Sequence, residues 1–157
     1  MSDKIKVYLA GPFFNDQERK VKARIKEHLE AMCALNESYE VCDPQTAGNF
    51  KSWEQTNPDW GGGTFKGDWE LLEECDIILA VDWGLYGDCG TAWEIGFGFA
   101  RNKDVFVVAP MDSLTRPHSV MVANGSRNFI TEARFLTLKN FYELYNENYF
   151  ASGVEQK

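Results

Sequence analysis

The chain has 157 residues, which suits a single domain (residues 1–157) with one sizeable core. Its 24 acidic and 16 basic residues give a formal net charge of −8, which would repel a phosphate backbone and argues against DNA or RNA as a partner. The four cysteines form no C-x-x-C pair, and neither a signal peptide nor an apolar stretch of about 18 residues is present, which predicts a cytoplasmic protein with reduced thiols and no membrane partner.

A strand and a helix are predicted at the start of the chain. Residues 4–10 become increasingly apolar and end at Gly11, which predicts a strand followed directly by a loop. Asn15 or Asp16 can cap the next helix, because both side chains accept hydrogen bonds from a helix N-terminus. Four apolar residues at helical spacing form its predicted core face: Val21, Ile25, Leu29 and Met32.

A long polar stretch separates the second strand from the next helix. Residues 38–42 predict the strand, and residues 43–67, which contain three consecutive glycines, predict a long loop of the kind that is often a functional lid. A helix follows over residues 68–75, and its apolar line places Asp68 on the core face. The alternative for Asp68 is a purely local role, in which the carboxylate stabilises the positive N-terminus of that helix.

The second half of the chain contains the remaining strands. Residues 76–81 and 105–109 are nearly continuous apolar runs, as expected for strands covered on both faces, and a short strand is predicted near 128–130. A terminal amphipathic helix is marked by four residues: Leu138, Phe141, Tyr142 and Tyr145. This order of elements predicts an α/β fold, namely a flavodoxin-like, doubly wound, mostly parallel five-stranded sheet with strand order 2-1-3-4-5.

The segment 88–100 carries one isolated charge. From Cys89 to Ala100 the only charged residue is Glu94, which lies among aromatic and aliphatic residues on a predicted helix. A carboxylate in apolar surroundings must be hydrated, be paired with another group or have a functional role, because burial without a partner is costly and raises its pKa. The four residues from Thr91 to Glu94 also fit a capping box, and taken alone they favour that interpretation.

Three carboxylates are expected at one edge of the sheet. Ligands of doubly wound sheets bind at the carboxyl ends of the strands, where the loops after strands 1 and 3 meet. Asp88 and Glu94 follow strand 3, and the helix that begins at Asp68 descends from the same edge. We therefore expect Asp68, Asp88 and Glu94 to share one pocket.

The motifs of nucleotide cofactors and metal sites are not matched. The first loop lacks the lysine of a P-loop, and His28 and His118 have no metal-ligand spacing to the cysteines, so no cofactor or metal is predicted. Cys89 is a weak candidate nucleophile because its acidic neighbour raises a thiol pKa and no base is evident. A set of carboxylates remains, which suits acid–base and nucleophilic chemistry at an acetal-like carbon.

Three motifs in order carry a resemblance to a known family. They are 7–16 (VYLAGPFFND), Gly67-Asp68 ahead of the third strand, and 88–96 (DCGTAWEIG). Over most of its length the chain resembles the nucleoside 2-deoxyribosyltransferases, particularly the bacterial purine-and-pyrimidine type. The resemblance implies transfer of 2-deoxyribose between bases in nucleoside salvage, through a covalent deoxyribosyl-glutamate intermediate, with retention of configuration and without a metal or cofactor.

The resemblance also implies a role for each matching residue. Glu94 is expected to attack C1′ of the sugar, Tyr8 to hold that glutamate, and Asp68 to protonate the departing base and deprotonate the incoming one. Asp88 is expected to bind the sugar hydroxyls. Two residues of the first loop match positions near the base: Phe13 and Asp16.

One departure from the family pattern keeps a second activity open. In the family an asparagine of a neighbouring subunit commonly contacts the 5′-hydroxyl, and the matching residue here is Ser119, while Met121 keeps the pattern. Related nucleotide hydrolases use serines for the 5′-phosphate, so a 2′-deoxynucleoside 5′-monophosphate N-glycosidase is an alternative. Against it, residues 11–14 contain no serine or arginine, and Asp88 would repel a phosphate.

The resemblance further implies the partners of the chain. They are 2′-deoxynucleosides, free nucleobases and other copies of the chain, in a homo-oligomer of dimers that is expected to be a hexamer with shared pockets. A non-catalytic nucleoside-binding domain on the same fold is the remaining alternative, because a fold does not fix an activity.

Overall fold

Five parallel strands form the centre of the computed structural model, which describes residues 3–47, 58–84, 87–111 and 117–147. In chain order the strands are β1 (Ile5–Ala10), β2 (Tyr39–Cys42), β3 (Ile77–Val81), β4 (Asp104–Ala109) and β5 (Asn128–Thr131). Their spatial order is β2-β1-β3-β4-β5, and every neighbouring pair is parallel. The predicted flavodoxin-like sheet and its strand order are confirmed.

Helices cover both faces of this sheet. They are α1 (Asp16–Leu35), α2 (Pro44–Ala47), α3 (Pro58–Glu74), α4 (Cys89–Ala100), α5 (Val120–Asn124), α6 (Glu132–Phe135) and α7 (Phe141–Asn146). Buried residues of α1, α6 and α7 form one core with one face of the sheet, and residues of α3, α4 and α5 form the second core with the other. Within the ranges given above, no helix has both the length and the apolar character that crossing a membrane would require.

Alternation along β1 decides which side chains face which core. Val7 and Leu9 belong to the core under α1, whereas Tyr8 and Ala10 belong to the core under α3 and α4. Successive side chains of a strand point to opposite faces, so this division follows from the strand itself. Tyr8 therefore lies, fully buried, on the same side of the sheet as α4.

The first helix has the predicted cap and core face. Asn15 Oδ1 accepts from the Glu18 backbone N–H at 2.9 Å, and the Glu18 carboxylate accepts from the Asn15 backbone N–H at 3.3 Å, which is a complete capping box. The predicted core face is confirmed, since four residues on it are at most 3% exposed: Val21, Ile25, Leu29 and Met32.

The predicted loop over residues 43–67 is wrong where the structure describes it. Residues 44–47 form α2, and α3 begins at Pro58 and contains the three glycines, while 48–57 lie outside the described residues. Proline suits the first turn of a helix, where its missing N–H costs no hydrogen bond. The glycine-containing start of α3 also gains a tertiary contact, because the Phe65 ring packs edge-on against Trp93 of α4 at 5.8 Å.

The early start of α3 changes the interpretation of Asp68. This residue lies in the second half of the helix, not at its beginning as the sequence suggested. The field of a helix terminus falls off within about one turn, so a stabilising role at the helix N-terminus is excluded for Asp68.

Helix α4 begins three residues earlier than a Thr91 cap would allow. Its N-cap is Asp88, whose Oδ2 accepts from the Thr91 backbone N–H at 2.7 Å and from Thr91 Oγ1 at 2.8 Å. The capping box between Thr91 and Glu94 is therefore wrong. An ionised carboxylate is a strong N-cap, and once Asp88 takes that position, Glu94 lies in the second turn and turns inward.

A glycine lets α4 lie unusually close to the sheet. A Cβ atom at Gly98 would stand 2.6 Å from Ile78 Cδ1 and 2.8 Å from Val105 Cγ2, so any larger residue there would force the Ile78 and Val105 side chains or α4 itself to shift. The close approach fixes the height of α4 above the sheet, and with it the position of Glu94.

The C-terminal part differs from the prediction in detail. Helices α5 and α6 are short and were not predicted, and Tyr142 is 78% exposed although the periodicity placed it on the core face. Asn140 caps α7, so the helix begins at Phe141, and Leu138 is buried before the helix starts. Tyr145 is held instead by a hydrogen bond of 2.7 Å from its hydroxyl to Asp104 Oδ2.

Candidate functional site

A cavity of about 210 Å³ opens at the carboxyl end of β1, between the first loop and the starts of α2 and α4. The loop residues from Ala10 to Phe14 form one wall, and α3 and α4 contribute the opposite walls. Its charged lining residues are three carboxylates and one ammonium: Asp68, Asp88, Glu94 and Lys22. The structure thus brings the three predicted carboxylates to one cavity at the predicted edge of the sheet.

Glu94 is held in place by a hydrogen bond from a residue of β1. The Tyr8 hydroxyl donates a hydrogen bond of 2.6 Å to Glu94 Oε1, and Tyr8 itself is fully buried. Burial raises the pKa of Tyr8, and the neighbouring Glu94 charge raises it further, so the hydroxyl stays neutral and remains a donor. The Glu94 carboxylate is therefore fixed at one oxygen, with the cavity in front of it.

Burial raises the pKa of two of the three acids that line the cavity, Glu94 and Asp68. Burial raises the pKa of Glu94 to about 7, the Tyr8 hydrogen bond opposes this rise, and the charge of Asp68 adds to it. Burial also raises the pKa of the Asp68 carboxyl, and the Lys22 charge partly opposes that rise. Near neutral pH a substantial fraction of Glu94 is ionised, so one carboxylate able to attack lies beside a second carboxyl group whose pKa burial also raises. That pairing suits nucleophilic displacement with acid–base assistance at an acetal-like carbon.

Asp88 belongs to this cavity and to a second one. The second cavity, of about 490 Å³, lies along the opposite side of α4, and its lining includes Asp88, Ser119 and Met121 but neither Glu94 nor Asp68. The larger space is mostly apolar, so the reactive groups belong to the smaller cavity. Both hydrogen bonds that Asp88 makes as a helix cap use Oδ2.

The other predicted site residues lie in different places. Phe13 lines the smaller cavity, and its ring stacks on Phe14 with centroids 5.3 Å apart. Asp16 is not brought to either cavity, since its side chain is 87% exposed and lies 2.5 Å from Arg19 Nη2 in an ion pair. Ser119 caps α5, where its Oγ accepts from the Met121 backbone N–H at 3.3 Å.

Sequence reasoning missed Lys22 and Gln45, which both line the smaller cavity. Lys22 is 4% exposed, and its Nζ lies 3.5 Å from Asp43 Oδ1. Two signals could have found them. Lys22 lies three residues before Ile25 on the core face of α1, and Gln45 follows β2 directly at the edge of the sheet where ligands bind.

The two histidines make structural contacts. His28 Nε2 lies 2.8 Å from the Leu138 carbonyl oxygen, and His118 Nδ1 lies 2.7 Å from Asp82 Oδ2. In the part of the chain that the structure describes, no three His, Cys, Asp or Glu side chains form a cluster that could hold a metal ion.

Three solved structures are similar to this chain. The 2-deoxyribosyltransferase of Bacillus psychrosaccharolyticus is 22% identical, with a TM-score of 0.65 over 97% of this chain and 98% of its own. A CMP N-glycosidase of Clostridium botulinum is 21% identical, with a TM-score of 0.55 over 89% and 99%. A conserved protein of Enterococcus faecalis V583 is 20% identical, with a TM-score of 0.55 over 87% and 89%. At these identities the likeness establishes the fold.

The family follows from the sequence itself. No curated protein sequence matches the chain. The model of the nucleoside 2-deoxyribosyltransferase family matches residues 7–134, which include most of β1, all of β2 to β5, Tyr8 and the three carboxylates of the cavity. The chain therefore belongs to the nucleoside 2-deoxyribosyltransferase family.

Proposed function

We propose that the protein transfers 2-deoxyribose between purine or pyrimidine bases through a deoxyribosyl ester of Glu94. The observation that carries this proposal is the Glu94 carboxylate, held by Tyr8 and facing the same cavity as Asp68. Membership of the family supports a nucleoside as the substrate.

In the first half of the reaction, Glu94 opens the glycosidic bond. One oxygen of its carboxylate attacks C1′ of a 2′-deoxynucleoside, the bond from C1′ to the base nitrogen breaks, and its electron pair leaves with the base. Asp68 supplies the proton that the departing base takes up, and the raised pKa of this carboxyl favours the protonated form that the step needs. The products are a free base and a deoxyribosyl ester of Glu94.

In the second half, another base takes the place of the first. The ionised Asp68 accepts the N–H proton of the incoming base, whose nitrogen attacks C1′, and the ester bond breaks to return the Glu94 carboxylate. Each displacement inverts C1′, so two of them retain the configuration of the nucleoside. Neither step uses a metal or a cofactor.

The other residues around the two cavities would bind the rest of the substrate. We assign the sugar hydroxyls to Asp88, because its Oδ2 already caps α4 and its Oδ1 can serve the sugar. Phe13 lines the cavity as an apolar surface for the base. Ser119 and Met121, beside Asp88 in the larger cavity, are assigned to the 5′ side, whereas the exposed Asp16 would reach a base only if the base extends beyond the cavity.

Hydrolysis of a deoxynucleoside 5′-monophosphate is the second candidate. Ser119 favours it as a possible hydrogen-bond donor to a phosphate, and one similar structure is a CMP N-glycosidase. Electrostatics oppose it, because Asp82 and Asp88 line the larger cavity, to which the 5′ side is assigned, and a 5′-phosphate would bring about two further negative charges close to them. We therefore place transfer ahead of hydrolysis.

Incubation with 2′-deoxyinosine and free adenine separates the candidates. New 2′-deoxyadenosine is the expected product, whereas hypoxanthine with free sugar would indicate hydrolysis. If neither product forms, the remaining alternative is a non-catalytic nucleoside-binding domain. A second incubation with a deoxynucleoside 5′-monophosphate tests the phosphate-specific alternative. Glu94→Ala should abolish exchange with the fold intact, while the matched control Glu70→Ala, at a carboxylate that is 54% exposed on α3, should keep it.

The active form is proposed to be a homo-oligomer of dimers, with each pocket completed by a neighbouring subunit. Three apolar side chains around the larger cavity are well exposed in the single chain, namely Phe99 at 63%, Val120 at 58% and Met121 at 79%. A face of this kind commonly marks an interaction surface. Sedimentation velocity should show a hexamer, and a fully active monomer would contradict this part of the proposal.

A further inference from the structure

Lys22 places a buried ammonium in the wall of the reactive cavity. The side chain is only 4% exposed, and it lines the same cavity as Glu94 and Asp68. Taking an ammonium out of water costs several kcal/mol unless its surroundings compensate, so a neutral residue of the same length would be the cheaper choice for packing alone. The charge therefore needs an electrostatic explanation.

The nearest anion to Lys22 is shared with a second cation. Asp43 Oδ1 lies 3.5 Å from Lys22 Nζ, its other oxygen, Oδ2, lies 2.9 Å from Lys26 Nζ, and Oδ1 also accepts from the Gln45 backbone N–H at 3.0 Å. Asp43 is the main anion that acts on Lys22, but one carboxylate faces two ammonium groups, so one positive charge is left uncompensated. Lys22 Nζ also lies 5.1 Å from the centroid of the Phe13 ring, which turns the ammonium toward the first loop and the cavity.

The cavity side of Lys22 holds further negative groups on which the remaining positive charge can act. The ionisable groups on the elements packed around it are Tyr8, Lys26, Asp43, Asp68, Asp88 and Glu94. The anions repel one another, and the charges of Asp68 and Asp88 both raise the pKa of Glu94. The Lys22 charge lowers the pKa of Glu94 and of Asp68, and it is the one cation among the described residues that line the cavity.

We propose that Lys22 is a positioning residue whose ammonium keeps the Glu94 carboxylate ionised and ready to attack the sugar. The role of Lys22 in catalysis rests on the proposed function, whereas its electrostatic influence on Glu94 rests on the cavity that the two residues share. Lys22 acts through Glu94, and no contact between Lys22 and the substrate is required.

The test is Lys22→Met, which keeps the length of the side chain and removes its charge. The acid limb of the pH profile of kcat/KM should move upward by about one pH unit, which lowers kcat/KM about tenfold below pH 6 and leaves it nearly unchanged above pH 8. A direct readout is the carboxyl titration of Glu94, followed by ¹³C NMR in the protein without substrate.

Three variants complete the design. Lys22→Arg keeps the charge and should keep the acid limb, and Lys22→Gln repeats the neutral substitution if the methionine variant fails to fold. Lys26→Met is the matched control. It also removes one ammonium that pairs with Asp43, but Lys26 does not line the cavity. It should move the Glu94 titration much less.

The possible results are distinct. A Glu94 titration that is the same in Lys22→Met as in the unmodified protein, or that moves equally in Lys26→Met, would overturn the proposal. The NMR titration needs no substrate, so it tests the influence of Lys22 on Glu94 separately from the proposed reaction. If no nucleoside is converted but the titration moves, the influence of Lys22 on Glu94 stands and only the proposed reaction fails.

Discussion

Glu94→Gln should make the protein inactive and, above neutral pH, more stable. Burial raises the pKa of Glu94 from its ordinary 4.5 to about 7, so the folded state binds this proton more tightly than the unfolded state does. Stability from this group is then complete below pH 4.5 and is lost as the pH rises through about 7. At about 1.4 kcal/mol per pKa unit, the loss is about 3.5 kcal/mol, and partial exposure of the side chain reduces it to about 2–3 kcal/mol.

The glutamine variant escapes this loss because it never ionises. Its amide oxygen can still accept the Tyr8 hydrogen bond, so the packing around the site is kept. Urea unfolding should give equal stabilities near pH 4.5 and a variant that is more stable by about 2–3 kcal/mol near pH 8. Exchange activity should fall by at least about a thousandfold.

A control and a contrary result complete this experiment. Glu70→Gln removes an exposed carboxylate on α3 and should change stability by much less than Glu94→Gln does, because exposed charges contribute little to stability. A difference between Glu94→Gln and the unmodified protein that is constant from about pH 4.5 to about pH 8 would refute the reasoning, because Glu94 would then titrate alike in both states.

Three further substitutions test the site and its support. Tyr8→Phe removes the donor that lowers the pKa of Glu94, so the acid limb of the kcat/KM profile should move upward by about one pH unit, and an unmoved limb would contradict this. Asp68→Asn should lower exchange of natural nucleosides at least about a hundredfold. It should spare cleavage of 4-nitrophenyl 2-deoxyriboside, because that leaving group needs no proton. Equal losses with both substrates would show that Asp68 is not the acid. Gly98→Ala should cost about 1–3 kcal/mol in urea unfolding, while Gly96→Ala, with open space around it, should be neutral or stabilising, and equal effects would argue against the close packing of α4.

Sequence patterns were sufficient for the sheet and for the edge that holds the site. The two central strands, β3 and β4, are apolar runs, and the alternation of strands and helices determined the strand order. The chain order alone placed Asp68, Asp88 and Glu94 at one edge, and the structure has them in one cavity. Their chemical roles came only from the resemblance to a family, because a pattern of residues does not specify a substrate.

The failures have local physical causes. The three glycines of α3 weakened the helical pattern, which the prediction could not weigh against tertiary contacts such as that of Phe65 with Trp93. Two residues, Asp88 and Thr91, competed to cap α4, and sequence spacing does not reveal which of them wins. Lys22 escaped notice because a lysine beside an apolar stripe normally extends into solvent, and only the fold shows that this one cannot.

Asp88 limits how the pocket can be redesigned. The same carboxylate starts α4 and lines both cavities, so any engineered exchange at this residue, for example to accept a bulkier sugar, alters the helix start that carries Glu94. Directed evolution toward new nucleosides would therefore succeed more readily at Phe13 or Ser119, whose side chains reach the cavities without supporting that helix.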